Sequence, residues 1–187
     1  MSVPKILVIP GSARKDSFNR KLAAHAAEKA GRLGAEPTLL DMNAFNAPLY
    51  HGDLEAEQGL PETMRTLRQM IGTHDALIVV SPEYNGHVPP LLVNAFDWVS
   101  RPDGEDKDNV FAGKSAAVMA ASPGRLGGAR MIPRLRAFLT DLGVMCLPGQ
   151  ASVASAFKAF DESGQLTDER AAAQVQTLVK RLIDLHR

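Results

Sequence analysis

Short unbroken apolar runs alternate along the chain with longer segments whose apolar residues recur every three to four positions. The first run, KILVI at Lys5 to Ile9, stops at Pro10-Gly11. Its length and branched residues predict a strand buried on both faces. Asn19 to Leu33 then sets Leu22, Ala26, Ala30 and Leu33 on one stripe and ends at Gly34, as a helix does. Glu36 to Leu40 predicts a second strand, and the polar stretch 43–59, with Pro48 and two glycines, predicts a loop. Pro61 suits a first helical position, followed by Met64, Leu67, Arg68 and Ile71 as far as Gly72.

ALIVV at Ala76 to Val80, closed by Ser81-Pro82, is the clearest strand. A helix from about Pro90 to Val99, a charged surface loop at 101–113 and a fourth strand at Ser115 to Ala121 follow. Gly127 to Leu142 carries Ile132, Leu135, Phe138, Leu139 and Leu142 as a helical stripe. Val144 to Leu147 and Ala151 to Val153 together predict a fifth strand interrupted by Pro148-Gly149. Asp168 to Leu185 predicts the last helix. Five strands alternating with five helices imply a parallel sheet with right-handed crossovers and helices on both faces. Residues 1–187 therefore read as a single doubly wound α/β domain, without internal repeat or linker.

Composition narrows the function classes. The chain has 187 residues, 21 Lys+Arg against 21 Asp+Glu, and no net charge. Bulk attraction to nucleic acid or to an anionic membrane is absent, so anion binding must be local. A lone cysteine, Cys146, excludes an internal disulfide framework and a cysteine zinc cluster, and fits a reducing, cytoplasmic setting. The longest apolar runs fall far short of the roughly 20 residues that span a bilayer, and MSVPKILVIPGS lacks the pattern of a secretory signal. The histidines have no metal-ligand spacing.

On a parallel sheet, ligands bind at the carboxyl ends of the strands, where strand order reverses. Three loops fall there. PGSARKDSFN, Pro10 to Asn19, offers Ser12, Arg14, Ser17 and Asn19 at a helix N-terminus, where free N–H groups and the helix dipole favour phosphate. Capping by Ser17 or Asn19 would account for one of these residues, not the set. SPEYNGHVPP, Ser81 to Pro90, carries a flat aromatic face at Tyr84 and a turn at Asn85-Gly86. SPGRLGGAR, Ser122 to Arg130, has Gly124, Gly127 and Gly128, which let backbone approach a flat ligand. A Rossmann dinucleotide site is the rival, but the spacing is GxxGG on the fourth strand, and the first turn has one glycine. Asp41 then reads as a solvated strand end. A phosphate loop plus two loops able to embrace a ring point to a mononucleotide, for which FMN is the natural candidate.

These residues also carry a family likeness. GSARKDSFN resembles the GSxRxxSxN phosphate loop of the NADPH-dependent FMN reductase family. SPEYNGHVPPLLVNAFDWVSRP resembles its PEYNGxxPxxLKNAxDW segment, and SPGRLGGARMIPRLRAFLTDLG its SxGxxGGxRxxxxLRxxL segment. The motifs stand in the family's order from Lys5 to about Gly143. Val93, Pro90 and Arg125 depart from the pattern, and none removes an expected flavin contact.

The resemblance implies a flavodoxin-like fold with strand order 2-1-3-4-5. It implies that Ser12, Arg14, Ser17 and Asn19 hold the FMN phosphate, and that Pro82, Glu83, Tyr84, Asn85 and Gly86 line the isoalloxazine and ribityl chain. Ser122, Gly124 and Gly127 would flank the ring from the other side. Reduced nicotinamide, NADPH or NADH, would deliver hydride to flavin N5 and leave before a quinone, free flavin, chromate or azo-type acceptor takes the electrons. The flavin then carries the chemistry, so no catalytic side chain is required; His87, beside the ring loop, is the candidate proton donor, and Arg14 or Arg125 a partner for the extra phosphate of NADPH. The family also implies a homodimer or homotetramer, with Trp98 and Arg101 as interface candidates, although a lone tryptophan on a helix is more often core. A flavin-binding electron carrier or sensor is the alternative, and balanced charge weighs against a carrier that docks by electrostatics. A structural subunit without cofactor would not need the Ser12–Asn19 loop.

Overall fold

A computed structural model describes residues 2–187. In chain order the elements are β1 (Lys5–Pro10), α1 (Phe18–Arg32), β2 (Glu36–Leu39), a 3-10 turn (Met42–Ala44), α2 (Gly52–Gln58), α3 (Glu62–Thr73), β3 (Ala76–Val80) and α4 (Pro90–Val99). They continue with β4 (Ser115–Ala121), α5 (Met131–Asp141), β5 (Met145–Cys146), β6 (Ala151–Val153), α6 (Ala156–Ala159) and α7 (Glu169–Asp184). The strands are all parallel, in the order β2-β1-β3-β4-β5, with β6 also on β4. This is the expected flavodoxin-like order, with one refinement. β5 pairs Ser115 and Ala116, β6 pairs Met119 to Ala121, and Pro148-Gly149 breaks what would otherwise be one edge strand.

Every residue of β3 and β4, and all of β1 after Lys5, is buried. A parallel sheet reaches that state only with helices on both faces. Ile6, Val8, Ile78 and Met119 face α1 and α7, packing on Leu22, Ala26, Val175 and Leu182. Leu7, Ile9, Val79 and Val118 face α3, α4 and α5, where Met64, Leu67, Phe96 and Leu135 receive them.

Several expectations are corrected. The stretch 43–59 is not a plain loop: it contains the end of the 3-10 turn and α2, a helix with no buried residue and hence no apolar stripe to betray it. Its neighbour Pro48 accepts hydrogen bonds from Asn94 Nδ2 (3.0 Å) and Trp98 Nε1 (2.8 Å), which straps the segment over α4. Trp98 is thereby fully buried, a core residue rather than a subunit contact. Pro61 caps α3 instead of opening it. The fourth long helix starts at Met131, not Gly127, because Gly127 and Gly128 hold φ of 56° and 84°, incompatible with a helix. The helices number seven among the described residues, not five, since α2 and α6 are short. The charged loop at 101–113 is tied down by Arg68, 2% exposed, which donates to Val99 O and Asp108 O and pairs with Asp106.

Candidate functional site

The β1–α1 loop is built around two buried hydroxyls. Gly11 N–H extends the ladder to Val80 O, and a Cβ on Gly11 would meet Ser81 within 3.1–3.3 Å, so a larger residue would crowd the loop against the end of β3. Ser12 is 5% exposed and its Oγ accepts from Arg14 N (3.3 Å); Ser17 is 3% exposed and its Oγ accepts from Asn19 N (3.2 Å), capping α1. Both hydroxyls act as acceptors inside the loop, so each keeps its hydrogen for an outside group. Arg14 is exposed and anchored through Nη2 to Asp16 O (2.8 Å). The first turn of α1 contains no acidic residue. Hydroxyl donors, a guanidinium and a helix N-terminus make an anion cradle that a phosphate fits.

Asn43, unnoticed in the sequence, supports this loop from outside: its Nδ2 donates to Ala13 O (3.1 Å) and to Asp41 Oδ1 (2.9 Å). Asp41 is exposed and lies 3.4 Å from Arg20. Hydrogen bonds from the main chain and side chain of Asn43 hold its carboxyl below the usual aspartate range.

The β3–α4 loop turns tightly at Asn85 (φ 54°) and Gly86 (φ 76°), with Tyr84 and His87 exchanging main-chain hydrogen bonds at 3.0 and 2.9 Å. The turn leaves Tyr84 half-exposed and His87 exposed. Glu83 turns its carboxylate onto the start of α5, where it accepts from Arg130 N (3.1 Å), Met131 N (3.2 Å) and Arg130 Nε (2.8 Å). Burial acts to raise the Glu83 pKa, and the Arg130 and Met131 hydrogen bonds outweigh it, leaving the carboxyl below the usual glutamate range. Arg134 Nη1 donates to Gly86 O (2.6 Å), a second tie to α5.

The β4–α5 loop carries Ser122, whose Oγ accepts from Gly124 N (3.1 Å), and Gly124, whose carbonyl accepts from Ser155 N (3.1 Å). Gly127 is pressed against β6: a Cβ there would stand 3.0 Å from Ala154 N. Its small size therefore serves the packing of the loop on the sheet edge.

The three loops meet around one cleft of about 240 Å³. Its wall brings together Ser12, Arg14, Ser17, Asn19, Pro82, Glu83, Tyr84 and Ser122, together with Phe18, Ala121 and Pro123, which the sequence had not singled out. Asn85, Gly86, Gly124, Gly127 and His87 stand outside that wall. Larger hollows of about 320 and 360 Å³ run between α7 and the Gly149–Ala154 edge, but neither touches the three loops. Proximity to the hydroxyl cradle, not size, marks the smaller cleft as the candidate functional site. Among the described residues no cluster of His, Cys, Asp and Glu is arranged to hold a metal ion, and no helix is long and apolar enough to cross a membrane. Cys146 is half-buried, and burial raises its thiol pKa, which makes it a poor nucleophile.

Known proteins sharpen the picture. The family model described as NADPH-dependent FMN reductase matches residues 4–158. A quinone reductase of Pseudomonas putida is 38% identical over 168 residues, covering 89% of this chain and 87% of that protein. An NAD(P)H-dependent FMN reductase of Pseudomonas aeruginosa is 37% identical over 181 residues, covering 95% and 92%. Among solved structures, the flavoenzyme NAD(P)H:(acceptor) oxidoreductase FerB of Paracoccus denitrificans superposes with a TM-score of 0.82 at 33% identity, over 97% of this chain and 96% of that one.

Proposed function

The chain belongs to the NADPH-dependent FMN reductase family, and from that membership we propose that it is an FMN-dependent oxidoreductase carrying electrons from NADPH or NADH to a quinone-type acceptor. The observation that carries the reading is the pair of buried serines, Ser12 and Ser17, with outward-facing hydroxyl capacity beside Arg14 at a helix N-terminus. In this reading those residues hold the phosphate, Pro82 and Tyr84 lie along the flavin, and Ser122 bounds it on the far side. When bound, FMN supplies the two-electron chemistry that accepts hydride from reduced nicotinamide and passes electrons to an acceptor.

The chain's own residues do four things. The cradle hydrogen-bonds phosphate through hydroxyl and main-chain donors, and Arg14 offsets its charge. Glu83 and Arg134 fix the Tyr84 turn on α5, so that the aromatic wall is set before ligand arrives. Half-exposed Tyr84 leaves the cleft open for nicotinamide and acceptor to visit in turn. His87 is kept as a proton donor for an acceptor that reaches the rim. Quinones are favoured as acceptors because relatives of this length and identity bear that activity in their names. A homodimer or homotetramer and a cytoplasmic setting complete the proposal, the latter resting on the single cysteine.

The deciding experiment is a visible spectrum of the purified protein, with FMN added back if it is colourless, before and after anaerobic NADPH. A flavin spectrum that bleaches with NADPH supports the reductase. A bound flavin that stays oxidised with both NADPH and NADH overturns it in favour of a carrier or sensor, and failure to bind FMN overturns the cradle itself.

A further inference from the structure

We propose that Asn19 is a positioning residue rather than a phosphate ligand: its carboxamide clasps the phosphate loop to the end of β4, so that phosphate binding and ring binding are set together. The inference rests on the reading that FMN occupies the cleft. Asn19 sits in the first turn of α1 and is 3% exposed. Its Nδ2 donates to Ala121 O (2.8 Å), and its Oδ1 accepts from Ala121 N (2.8 Å). Both ends of the carboxamide are thus engaged by one residue, 102 positions away in sequence.

The need for this clasp follows from the sheet. β1 and β4 are not neighbours, since β3 lies between them. β3 ends at Val80, which is paired with Met119; Ser81 N then donates to Met119 O (2.9 Å), and the same register sets residue 82 opposite Ala121. Alternate residues of a parallel strand turn both their N–H and their C=O to the same neighbour. Met119 and Ala121 therefore address the β3 side, while Ser122 N turns the other way to Val153 O (3.0 Å). In that register Ala121 would meet Ser81 C=O and Glu83 N–H, but the chain leaves the sheet at Ser81-Pro82 and neither bond is made, so both main-chain groups of Ala121 need another partner at the floor of the cleft. The Asn19 side chain imitates the missing peptide group, offering one donor and one acceptor. In doing so it ties the turn that holds Ser17 to the strand end that leads into Ser122, across the cleft both residues line.

The two roles separate in a comparison of FMN with riboflavin, which lacks the phosphate. Dissociation constants of both would be measured for the wild-type protein, for Asn19→Ala and for Arg14→Ala. A clasp predicts that Asn19→Ala weakens FMN and riboflavin by the same factor, about tenfold, the worth of a hydrogen bond. Arg14→Ala instead weakens FMN selectively. If Asn19→Ala weakens FMN but not riboflavin, it is a phosphate ligand and the proposal fails. If it lowers only the melting temperature and leaves both constants unchanged, Asn19 is purely structural and the proposal fails as well. Should Asn19→Ala not fold, the wild-type protein still decides the matter by NMR. A clasp keeps the Asn19 carboxamide hydrogens equally shifted and protected from exchange in the FMN and riboflavin complexes, whereas a phosphate ligand shifts them with FMN alone. Wild-type protein that binds neither compound would sink the functional reading itself, a result distinct from all of these.

Discussion

Replacing Glu83 by alanine should loosen the join between the Tyr84 turn and α5. The carboxylate caps two N–H groups of α5 and meets the Arg130 guanidinium, while its own side chain is 8% exposed. Loss of a capping side chain costs about 1 kcal/mol. The favourable placement of a negative charge at a helix N-terminus adds about 0.5 kcal/mol. Arg130 is 64% exposed, so solvent screens the ion pair and leaves it well below about 1 kcal/mol. The whole comes to about 2 kcal/mol, and for a chain of this size each kcal/mol lowers the melting temperature by about 2–4 °C. Melting of Glu83→Ala should therefore fall by about 4–8 °C at pH 7, followed by fluorimetry. Because the folded carboxyl titrates below the unfolded one, its contribution is complete above the unfolded value of about 4.3 and disappears as pH falls through the folded value. The gap between wild type and variant should therefore be narrower at pH 3 than at pH 7. A gap under about 1 °C at pH 7, or one that is the same at both pH values, would refute the assignment of Glu83 to this join.

Two further outcomes test the packing. Gly128 has φ 84°, and a Cβ there would meet the Ala120 Cβ at 2.6 Å, whereas Gly59, at φ 68°, has open space. Gly128→Ala should cost about 3–4 kcal/mol in denaturant unfolding, from backbone strain plus overpacking, and Gly59→Ala about 2 kcal/mol, from the strain alone of a backbone region (φ 68°, ψ −161°) all but reserved to glycine; equal losses would contradict the contact. His25 is buried with neither ring nitrogen hydrogen-bonded, and burial, with Lys29 adding to it, lowers its pKa. The unfolded chain then binds the proton more readily, so wild-type stability should decline as pH drops below about 6.5 and His25→Leu should remove that decline. A decline of equal size in the variant would assign it to other groups.

Much of the architecture was written in local pattern. Lys5–Ile9, Ala76–Val80 and Ser115–Ala121 are read as buried strands because a parallel sheet covered on both faces needs continuous apolar runs. The β1–α1 loop is equally legible as a candidate anion site, since its hydroxyls and arginine lie within ten residues of one another. What escaped was carried by pairings distant in sequence. Nothing near Glu83 announces that its carboxylate will cap a helix 47 residues on, and nothing near Asn19 announces Ala121. The helix α2 escaped for the opposite reason: with no buried face it has no period to detect. Gly127 and Gly128 stand out in the sequence, yet glycine alone does not distinguish approach to a ligand from the close packing against β6 and Ala120 seen here.

The broken strand at the far edge of the sheet has a bearing on how the molecule behaves in a crowded solution. A long flat edge would present a row of unsatisfied main-chain groups to any passing strand and invite stacking into fibres. Here one edge is the four-residue β2, which contains Pro37, and the other is cut into pieces of two and three residues by Pro148-Gly149. Arg136 caps the gap by donating to Leu147 O (2.7 Å) and Gly149 O (3.2 Å). The sheet is thus insulated at both margins against templated growth, and specific assembly is left to the side chains that clothe its helices.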